Sequence, residues 1–524
     1  ALDRAAMKGQ RVPFVLGLLH TGDLGRLEVG LKGGALRGPA GEQLDLTEVE
    51  YIKGMTPPES SHLLHPCEGP VKLSAPTQAP APGTRSAQPA IRYFVLSFQV
   101  PVTARGGKYQ GTVELRFLDS PRHDRSIPLQ IHVQDLVKPV TRDTFIGMIF
   151  QSETVPFNDE GMRQYSKSGF TSVTRFGRFF EYTKKAGGYE IDLEQTGKKI
   201  AWLRSHGITA GFCPFSDLDL GLRWGGGSLY KRTLKRTDIS SLPDPTDSVA
   251  RDDAQARSEL AGTARKPKEK PTGWHAEGNK AAWQHEIKRI DAYVKQHPDW
   301  PQIIYMTWDE PGYGPHGMPG PKMGWVNEVL PSAWTTLDAH FYVFDKILPY
   351  YTMPNFDDPA DFCGPEIYNH LKKLGKSYGF AASQQPGETQ RYQTGMMMLA
   401  SGARYMHVWH LAGGQKLMAT EAGRVLRSMG MVANGEGVDD LKAFRLLKGL
   451  MQKAGNDPDK RRELAAARAY LDKVLGLWRA DHLYGTSHPY LGLATEWGYD
   501  RFYNDWQETM LRHAAALKGV RWIE

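Results

Sequence analysis

Two adjacent carboxylates, Asp309 and Glu310, follow directly on a run of apolar and β-branched residues, Ile303–Trp308. Such a run is typical of a strand that is buried on both faces, as in a parallel sheet enclosed by helices. Because α/β folds place their active sites at the carboxyl ends of these strands, we expect the pair to carry chemistry. Trp308 and Pro311 flank the pair with an aromatic wall and a stiff turn, which a solvated loop does not require. The alternative is that Asp309 caps a turn and Glu310 is a solvated loop residue.

The separation of the two carboxylates limits the reactions that they can perform. Glycosidases with two catalytic carboxylates place them on opposite sides of the anomeric carbon, about 5–5.5 Å apart when retaining and about 6.5–9.5 Å apart when inverting. Adjacent residues have Cα atoms about 3.8 Å apart and leave the same strand end, so we expect Asp309 and Glu310 to work from one side. In that arrangement Glu310 protonates the departing oxygen. Asp309 then holds another group, such as a 2-acetamido group whose own oxygen attacks the anomeric carbon.

Length and composition narrow the class of protein. The chain has 524 residues, of which 40% are hydrophobic and 10% aromatic, so it can bury substantial cores and is expected to contain two domains or more. Three widely spaced cysteines suggest neither a disulfide framework nor a metal-ligand cluster. No stretch approaches the roughly 18 apolar residues that cross a bilayer. We expect a secreted or periplasmic protein whose leader is not present in this chain.

The net charge of +7 is compatible with several kinds of partner. Lys and Arg are scattered, and no zinc-finger, ribonucleoprotein or helix-turn-helix pattern accompanies them, so nucleic acid is not predicted. An acidic glycan is at least as good a partner, and a solubility role for the charge is the other alternative. No cofactor is predicted, and no metal site, since His62, His65 and Cys67 lack a matching second pair of ligands.

Residues 1–139 are predicted to form an antiparallel β-sandwich. Short, partly alternating segments are separated by Gly, Pro and Asp turns, and the Ala/Pro-rich stretch Pro76–Pro89 is expected to be an exposed loop between two strands. The clearest segments are Val12–Leu16, Tyr93–Val100, Gly111–Phe117 and Leu129–Val133.

Residues 140–455 alternate between strand and helix patterns, which predicts an α/β fold, a (β/α)8 TIM-type barrel. Helical patterns lie at Trp283–Val294 and Trp334–Leu348. The candidate strands are Phe145–Phe150, Gly169–Thr174, Gly207–Cys213, Gln302–Trp308, Ile347–Tyr351, Ser377–Ser383 and Arg404–Trp409, with an eighth near Gly430–Ala433.

Two further regions complete the predicted architecture. Residues 231–280 are charged and rich in Pro, Ser and Asp, which indicates an insertion that either covers the substrate as a lid or is partly disordered. Residues 456–524 show apolar stripes at helical spacing and are predicted to be C-terminal helices packed on the barrel.

The Asp-Glu-Pro motif after its strand, the acidic and aromatic helix pattern Gly435–Leu447 and the run Gly375–Arg391 together resemble glycoside hydrolase family 123, over residues 140–455. The preceding sandwich is similar in kind. The resemblance implies exo-acting removal of β-linked N-acetylgalactosamine by substrate-assisted retention. It assigns orientation of the acetamido group to Asp309 and general acid/base catalysis to Glu310.

Other residues are candidates for contact with a sugar. Trp409 and His410 end a predicted strand, where an indole can stack on a pyranose and an imidazole can donate to a hydroxyl, although they fit a core equally well. Arg391 and Arg175 are interpreted as ligands of a hydroxyl or an anionic group, or as partners in a salt bridge to a helix. The predicted substrate-binding set is Arg175, Trp308, Tyr313, Tyr378, Arg391, Trp409 and His410.

Two rival functions remain open. In the first, Glu310 is the acid/base of a two-carboxylate glycosidase that acts on another, possibly acidic, polysaccharide. A separate carboxylate, Glu388, Asp357 or Asp358, is then the nucleophile or base. In the second, the chain is a non-catalytic glycan-binding protein that keeps the barrel as a platform.

Overall fold

A computed structural model describes most of the chain, including the predicted catalytic strand. The predicted loop Pro76–Pro89 and nearly all of the predicted insertion lie outside the described residues. The described residues are 2–20, 22–52, 63–74, 90–140, 142–150, 158–176, 180–185, 188–215, 277–309, 320–339, 351–356, 365–382, 387–408, 418–421, 423–483 and 499–524.

The N-terminal region forms a sheet of ten strands in which β1 runs parallel to β10 and the other pairings are antiparallel. The four strands predicted from the sequence are confirmed within β2, β8, β9 and β10. The strands are β1 (Leu2–Lys8), β2 (Arg11–His20), β3 (Gly25–Leu31), β4 (Ala35–Arg37), β5 (Gln43–Ile52), β6 (Leu64–Pro66), β7 (Val71–Leu73), β8 (Ala90–Gln99), β9 (Gly107–Phe117) and β10 (Arg125–Val137).

A large apolar core extends across most of this sheet. In β9, Tyr109, Val113 and Phe117 are buried on one face, as expected for a strand with a period of two. The same cluster includes Ala6 of β1 and Phe14 of β2, which stand at opposite ends of the strand order. The sheet therefore bends around this core.

The rest of the chain is built on a closed ring of eight parallel strands, in the order β11, β12, β15, β16, β17, β18, β19 and β20. The α/β class predicted from the sequence is confirmed. These and the remaining strands are β11 (Phe145–Phe150), β12 (Ser172–Phe176), β13 (Glu181–Lys185), β14 (Gly188–Asp192), β15 (Gly211–Phe215), β16 (Gln302–Asp309), β17 (Trp334–Ala339), β18 (Asn355–Phe356), β19 (Gly379–Ala382), β20 (Tyr405–Val408), β21 (Met418–Glu421) and β22 (Arg424–Arg427).

One helix prediction and one strand prediction are wrong. The segment beginning at Trp334 was predicted to be helical, but β17 occupies its first six residues, since Thr335 and Thr336 favour a strand. The segment Gly430–Ala433 lies in a helix, because a short apolar run does not distinguish a buried helical turn from a strand. The predicted strand at residues 347–351 falls almost wholly outside the described residues, and the ring uses β18 instead.

Helices lie between most ring strands and after the last one. Local signals explain where they begin: Asn158 caps α1 by accepting a hydrogen bond from the Gly161 amide at 2.8 Å. The helices predicted near Trp283–Val294 and in residues 456–524 are confirmed. The helices are α1 (Asp159–Lys167), α2 (Leu193–Ser205), α3 (Glu277–Gln296), α4 (Gly320–Val329), α5 (Pro365–Lys373), α6 (Gly387–Tyr392), α7 (Met398–Ser401), α8 (Met429–Lys453), α9 (Arg461–Leu483) and α10 (Tyr499–Lys518).

The long helix α8 packs closely on α6 and the π-helical turn Gln393–Met397 that follows it. Gly437 is required at this crossing: a Cβ atom there would lie 2.6 Å from both the Arg391 carbonyl oxygen and Thr394 Oγ1. The described helices include none that is long and apolar enough to cross a membrane.

Candidate active site

Strand β16 carries the first of the two adjacent carboxylates at its carboxyl end. Ile304 and Met306 belong to the apolar cluster inside the ring, whereas Ile303 and Tyr305 belong to the cluster between the ring and its helices. All four residues are at most 3% exposed. The prediction of a strand buried on both faces, ending at Asp309, is therefore confirmed.

The pairing of β16 with β17 is irregular immediately before this end. Met306 is in register with Thr336, and Asp309 is in register with Asp338, so three steps on β16 oppose two on β17. This is the pattern of a β-bulge, which changes the face on which the following residue falls. A regular ladder from Met306 would put Trp308 opposite Asp338, whereas the irregular step puts Asp309 there.

The bulge also identifies an acidic residue that the sequence reasoning missed. Asp338 is the last residue but one of β17, beside the Asp309 position on the neighbouring strand. Adjacent strands lie about 4.8 Å apart. The run Trp-Thr-Thr-Leu-Asp contains the β-branched residues typical of a strand. A strand assignment based on them would have identified Asp338 as a strand-end carboxylate, but the segment was assigned to a helix.

The backbone places two more of the predicted residues at the ends of ring strands. Arg175 is the last residue but one of β12, in register with Phe150 and Pro214, and Trp308 directly precedes Asp309. The predicted site residues Glu310, Tyr313, Trp409 and His410 lie outside the described residues, as do Asp357 and Asp358 of the rival function.

Arg391 does not lie at a strand end, which corrects its assignment as a sugar ligand. It is on α6 and 2% exposed. Its Nε and Nη2 atoms donate to the two carboxylate oxygens of Asp440 on α8, at 2.8 and 3.0 Å, and its Nη1 atom donates to Glu436 at 3.1 Å and to Asn504 at 3.1 Å. The guanidinium also lies over the Tyr503 ring, 5.2 Å from its centroid. Arg391 therefore joins helices, which was the alternative interpretation.

The ion pair of Arg391 involves both sequence stretches that carried the family resemblance outside β16. Burial raises the pKa of Asp440 to about 6, although the positive charge of Arg391 acts in the opposite direction. Gln507 of α10 adds a hydrogen bond to the same carboxylate at 2.7 Å. These motifs thus specify how α6, α8 and α10 pack.

Tyr378 is also misassigned as a sugar contact. It immediately precedes β19 and so lies at the amino end of the ring, opposite the carboxyl end where Asp309 lies. Its ring is 1% exposed, and its hydroxyl donates to the Ser401 carbonyl oxygen at 3.0 Å. The side chain anchors the end of α7.

A buried polar chain joins β20 to β12, the strands on either side of β11. The Tyr405 hydroxyl of β20 lies 2.6 Å from His407 Nδ1 and 2.8 Å from Thr174 Oγ1 of β12. All three residues are fully buried. The sequence reasoning grouped Tyr405 and His407 only as part of a strand; their spacing of two, which puts both on one face, was the signal that identifies them.

The hairpin of β21 and β22, which follows β20 in the chain, is joined to the N-terminal sheet. Arg427 is 1% exposed and donates to Glu50 of β5 at 2.7 Å and to Glu48 at 3.4 Å. Ser428 forms an isolated bridge with Leu63. The N-terminal sheet thus contacts the chain just beyond the segment that contains the predicted residues Trp409 and His410.

The described residues contain no group of three or more His, Cys, Asp or Glu side chains that could hold a metal ion. His65 lies 3.6 Å from Glu421.

Comparison with known proteins adds information on the fold. No protein-family model matches the chain, and no curated protein matches it. Among solved structures, the chain is similar to a family 123 glycoside hydrolase from Clostridium perfringens, with a TM-score of 0.58 over 91% of this chain and 87% of that chain, at 11% sequence identity. It also matches a family 39 glycoside hydrolase from Bacteroides cellulosilyticus, over 77% of this chain and 73% of that chain at 10% identity. The TM-score of this second match is only 0.31. The chain therefore has a fold similar to that of a family 123 glycoside hydrolase.

Proposed function

We propose that this protein is a glycoside hydrolase that removes a terminal β-linked N-acetylhexosamine, of the N-acetylgalactosamine type, from glycans by substrate-assisted retaining hydrolysis. The observation that supports the proposal is the end of β16: this strand of a closed parallel ring ends at Asp309, and Glu310 is the next residue in the sequence. The similar Clostridium perfringens protein is described as hydrolysing glycolipid glycans, which supports a glycan as the substrate.

In this mechanism both carboxylates act from one side of the sugar. Glu310 donates a proton to the glycosidic oxygen as the bond from that oxygen to the anomeric carbon breaks. The acetamido oxygen of the substrate attacks the anomeric carbon, and Asp309 accepts a hydrogen bond from the acetamido N–H and stabilises its developing positive charge. Water then attacks the anomeric carbon as the bond from that carbon to the acetamido oxygen breaks, and the water passes a proton to Glu310. The acetamido group, the enzyme and the anomeric configuration thereby return to their starting states.

The finer architecture is part of the same proposal. We infer a complete (β/α)8 barrel over residues 140–455, an N-terminal β-sandwich over residues 1–139 and C-terminal helices over residues 456–524, in a protein that is secreted or periplasmic. Arg175, Trp308, Tyr313, Trp409 and His410 stay in the proposed sugar site, whereas Tyr378 and Arg391 are left out because of their buried structural contacts.

A panel of chromogenic sugars with and without a 2-acetamido group tests the proposal. We expect turnover only with the acetamido sugars, and a loss of about 100-fold or more in kcat for both Asp309→Asn and Glu310→Gln. Glu310→Gln should retain more activity on substrates whose leaving group needs no proton, whereas Asp309→Asn should not. Equal turnover of sugars that lack the acetamido group would contradict the substrate-assisted route.

Asp338 favours one alternative, a two-carboxylate glycosidase. Asp338 is in register with Asp309, so it supplies a second acidic position at the end of an adjacent strand. The sequence alone had offered Glu388, Asp357 or Asp358 as the second carboxylate. Glu388 is in the first turn of α6. If Asp338 is a nucleophile, Asp338→Ala should be rescued by azide with formation of a glycosyl azide. Absence of rescue, together with dependence on the acetamido group, would eliminate this route.

A further inference from the structure

Two buried glutamines link the carboxylate of Asp440 to the N-terminal sheet. Gln507 Nε2 of α10 donates to Asp440 Oδ1 at 2.7 Å, and Gln10 Nε2 donates to Gln507 Oε1 at 3.2 Å. Gln10 Oε1 in turn accepts a hydrogen bond from the Met7 N–H at 2.9 Å. Both glutamines are 2% exposed. The three hydrogen bonds thus connect α8, α10 and the turn between β1 and β2.

The two ends of this series of hydrogen bonds fix its direction. The backbone N–H of Met7 can only donate, and the ionised carboxylate of Asp440 can only accept. An amide between such ends has one orientation that satisfies it, with its oxygen towards the donor and its nitrogen towards the acceptor. Gln10 and Gln507 both have that orientation. The arrangement therefore requires Asp440 to be ionised.

Charged and titratable groups face Asp440 from several elements. Arg391 of α6 donates from Nε to Oδ2 at 2.8 Å and from Nη2 to Oδ1 at 3.0 Å. Glu436 lies one turn earlier on α8 and is paired with Arg4 of β1. Burial, and to a lesser extent the charge of Asp440, raises the pKa of Tyr470 on α9, so that hydroxyl stays neutral. Because burial outweighs the two arginines and raises the pKa of Asp440 to about 6, this carboxylate takes up a proton in mild acid.

A proton on Asp440 needs an acceptor. Oδ2 faces the Arg391 Nε–H, so a hydrogen on Oδ2 would meet a donor. Oδ1 faces the Gln507 amide, which can turn through 180° in the same space and present its oxygen instead. Both hydrogen bonds from Arg391 are then kept, because each carboxyl oxygen retains a lone pair for one of them. Among the hydrogen bonds described at Asp440, reversal of Gln507 is the route that satisfies the proton.

We propose that Gln507 and Gln10 form a relay that transmits the protonation state of Asp440 to the turn between β1 and β2. When Asp440 binds a proton, both amides reverse, and the reversed Gln10 amide presents its NH2 group to the Met7 N–H. Two donors then face each other, so this N–H loses its acceptor and the turn loosens. The joint between the N-terminal sheet and helices α8 and α10 is thereby sensitive to mild acid, whatever reaction the protein catalyses.

Hydrogen–deuterium exchange of the full chain measures the Met7 amide directly. Overlapping peptides are compared by mass spectrometry at pH 7.5 and pH 5.0, after correction for the intrinsic exchange rate at each pH. We expect the protection of Met7 in the wild type to fall by about 5- to 10-fold at pH 5.0, as for the loss of one hydrogen bond. The Lys32 amide, which donates to the Thr112 carbonyl oxygen at 2.9 Å, is the internal reference and should keep its protection.

Three variants separate the relay from a general effect of acid. Gln507→Met interrupts the relay, so its Met7 protection should be the same at both pH values. Asp440→Asn removes the titrating group and should give the same result, which keeps the test available if Gln507→Met does not fold. Gln99→Met is the matched control, because Gln99 donates to the Gln10 carbonyl oxygen at 3.3 Å but lies outside the relay. Its pH dependence should equal that of the wild type.

Two outcomes would overturn the inference. The first is a wild-type protein in which the protection of Met7 is the same at pH 5.0 and pH 7.5. The second is a pH dependence that is as large in Gln507→Met as in the wild type, which would show that acid acts on the turn without the glutamine amides.

Discussion

At the scale of single residues, the most consequential finding is that a buried arginine and a catalytic-site arginine cannot be told apart in sequence. Arg391 lies in a run that resembles a glycosidase motif, yet its guanidinium is held by Asp440 and Glu436. The strand end at Asp309, by contrast, was predictable, because a long apolar strand pattern leads straight to it. The difference is that contacts between distant segments, such as Arg391 and Asp440, leave no periodic signal.

The Arg391 ion pair should dominate the stability of the helical layer. Removing one partner of a buried pair leaves an uncompensated charge, so Arg391→Met is expected to lower the free energy of unfolding by about 3–5 kcal/mol. The double variant Arg391→Met/Asp440→Asn should lose less than Arg391→Met alone, because no buried charge is left unpaired.

Denaturant unfolding at pH 7.5 measures these differences. Arg512→Met is a matched control on α10, since its pair with Glu508 is half exposed and is expected to contribute less than about 1 kcal/mol. An Arg391→Met variant as stable as Arg512→Met would show that the buried Arg391–Asp440 pair contributes nothing to the free energy of unfolding.

At the scale of elements, strands with alternating or continuous apolar residues were predictable, and the short ones were not. β16 was predicted to within one residue, but β17 was assigned to a helix and β18 has only two residues. In a closed ring each strand is held by pairing on both sides, so a two-residue strand such as β18 is stabilised by its neighbours more than by its own sequence. Asp338 was missed because its strand, β17, was assigned to a helix.

The ion pairs between β5 and β22 should make the free energy of unfolding depend on pH in the acidic range. Burial by itself raises the pKa of Glu48, but the charges of Arg11, Arg427 and Lys167 outweigh it and lower the pKa from 4.5 to about 2. Because the folded state holds this carboxylate ionised, the stabilisation is complete above about pH 4.5 and is lost as the pH falls towards 2, by up to about 3 kcal/mol.

Unfolding curves of wild type and Glu48→Gln between pH 2 and pH 7 test this dependence. The stability difference between the two proteins should be largest near neutral pH and shrink towards pH 2. Glu508→Gln, at an exposed pair, should follow the wild-type curve. A Glu48→Gln difference that is constant with pH would rule out the ion pairs as its origin.

At the scale of the whole molecule, the N-terminal sheet is joined to the rest of the chain by buried polar contacts as well as apolar ones. Arg4 of β1 pairs with Glu436 of α8 at 2.9 Å, and Gln134 of β10 exchanges two hydrogen bonds with the backbone of Ile523, at 2.9 and 3.0 Å. The sequence predicted both regions but gave no indication of these contacts, since their partners are hundreds of residues apart.

We expect the sheet and the ring to unfold together. Separation of the sheet from the ring would leave Arg427 and Arg4 without their carboxylate partners. Neither part is therefore expected to keep its structure when the other unfolds. Scanning calorimetry should show one cooperative transition for the full chain, which Arg427→Met lowers as a whole. Two transitions separated by 10 °C or more would indicate independent units.

The irregular step before Asp309 has a consequence for insertions and deletions. Three residues of β16 occupy the length of two on β17, so the strand contains a surplus of one residue between Met306 and Asp309. Deletion of Thr307 would remove that surplus while leaving every hydrogen-bonded register upstream unchanged. Asp309 would then stay in register with Asp338 through a regular ladder, so the loss of a single codon would keep Asp309 at the strand end, with Glu310 next in the chain, and would remove only the local distortion.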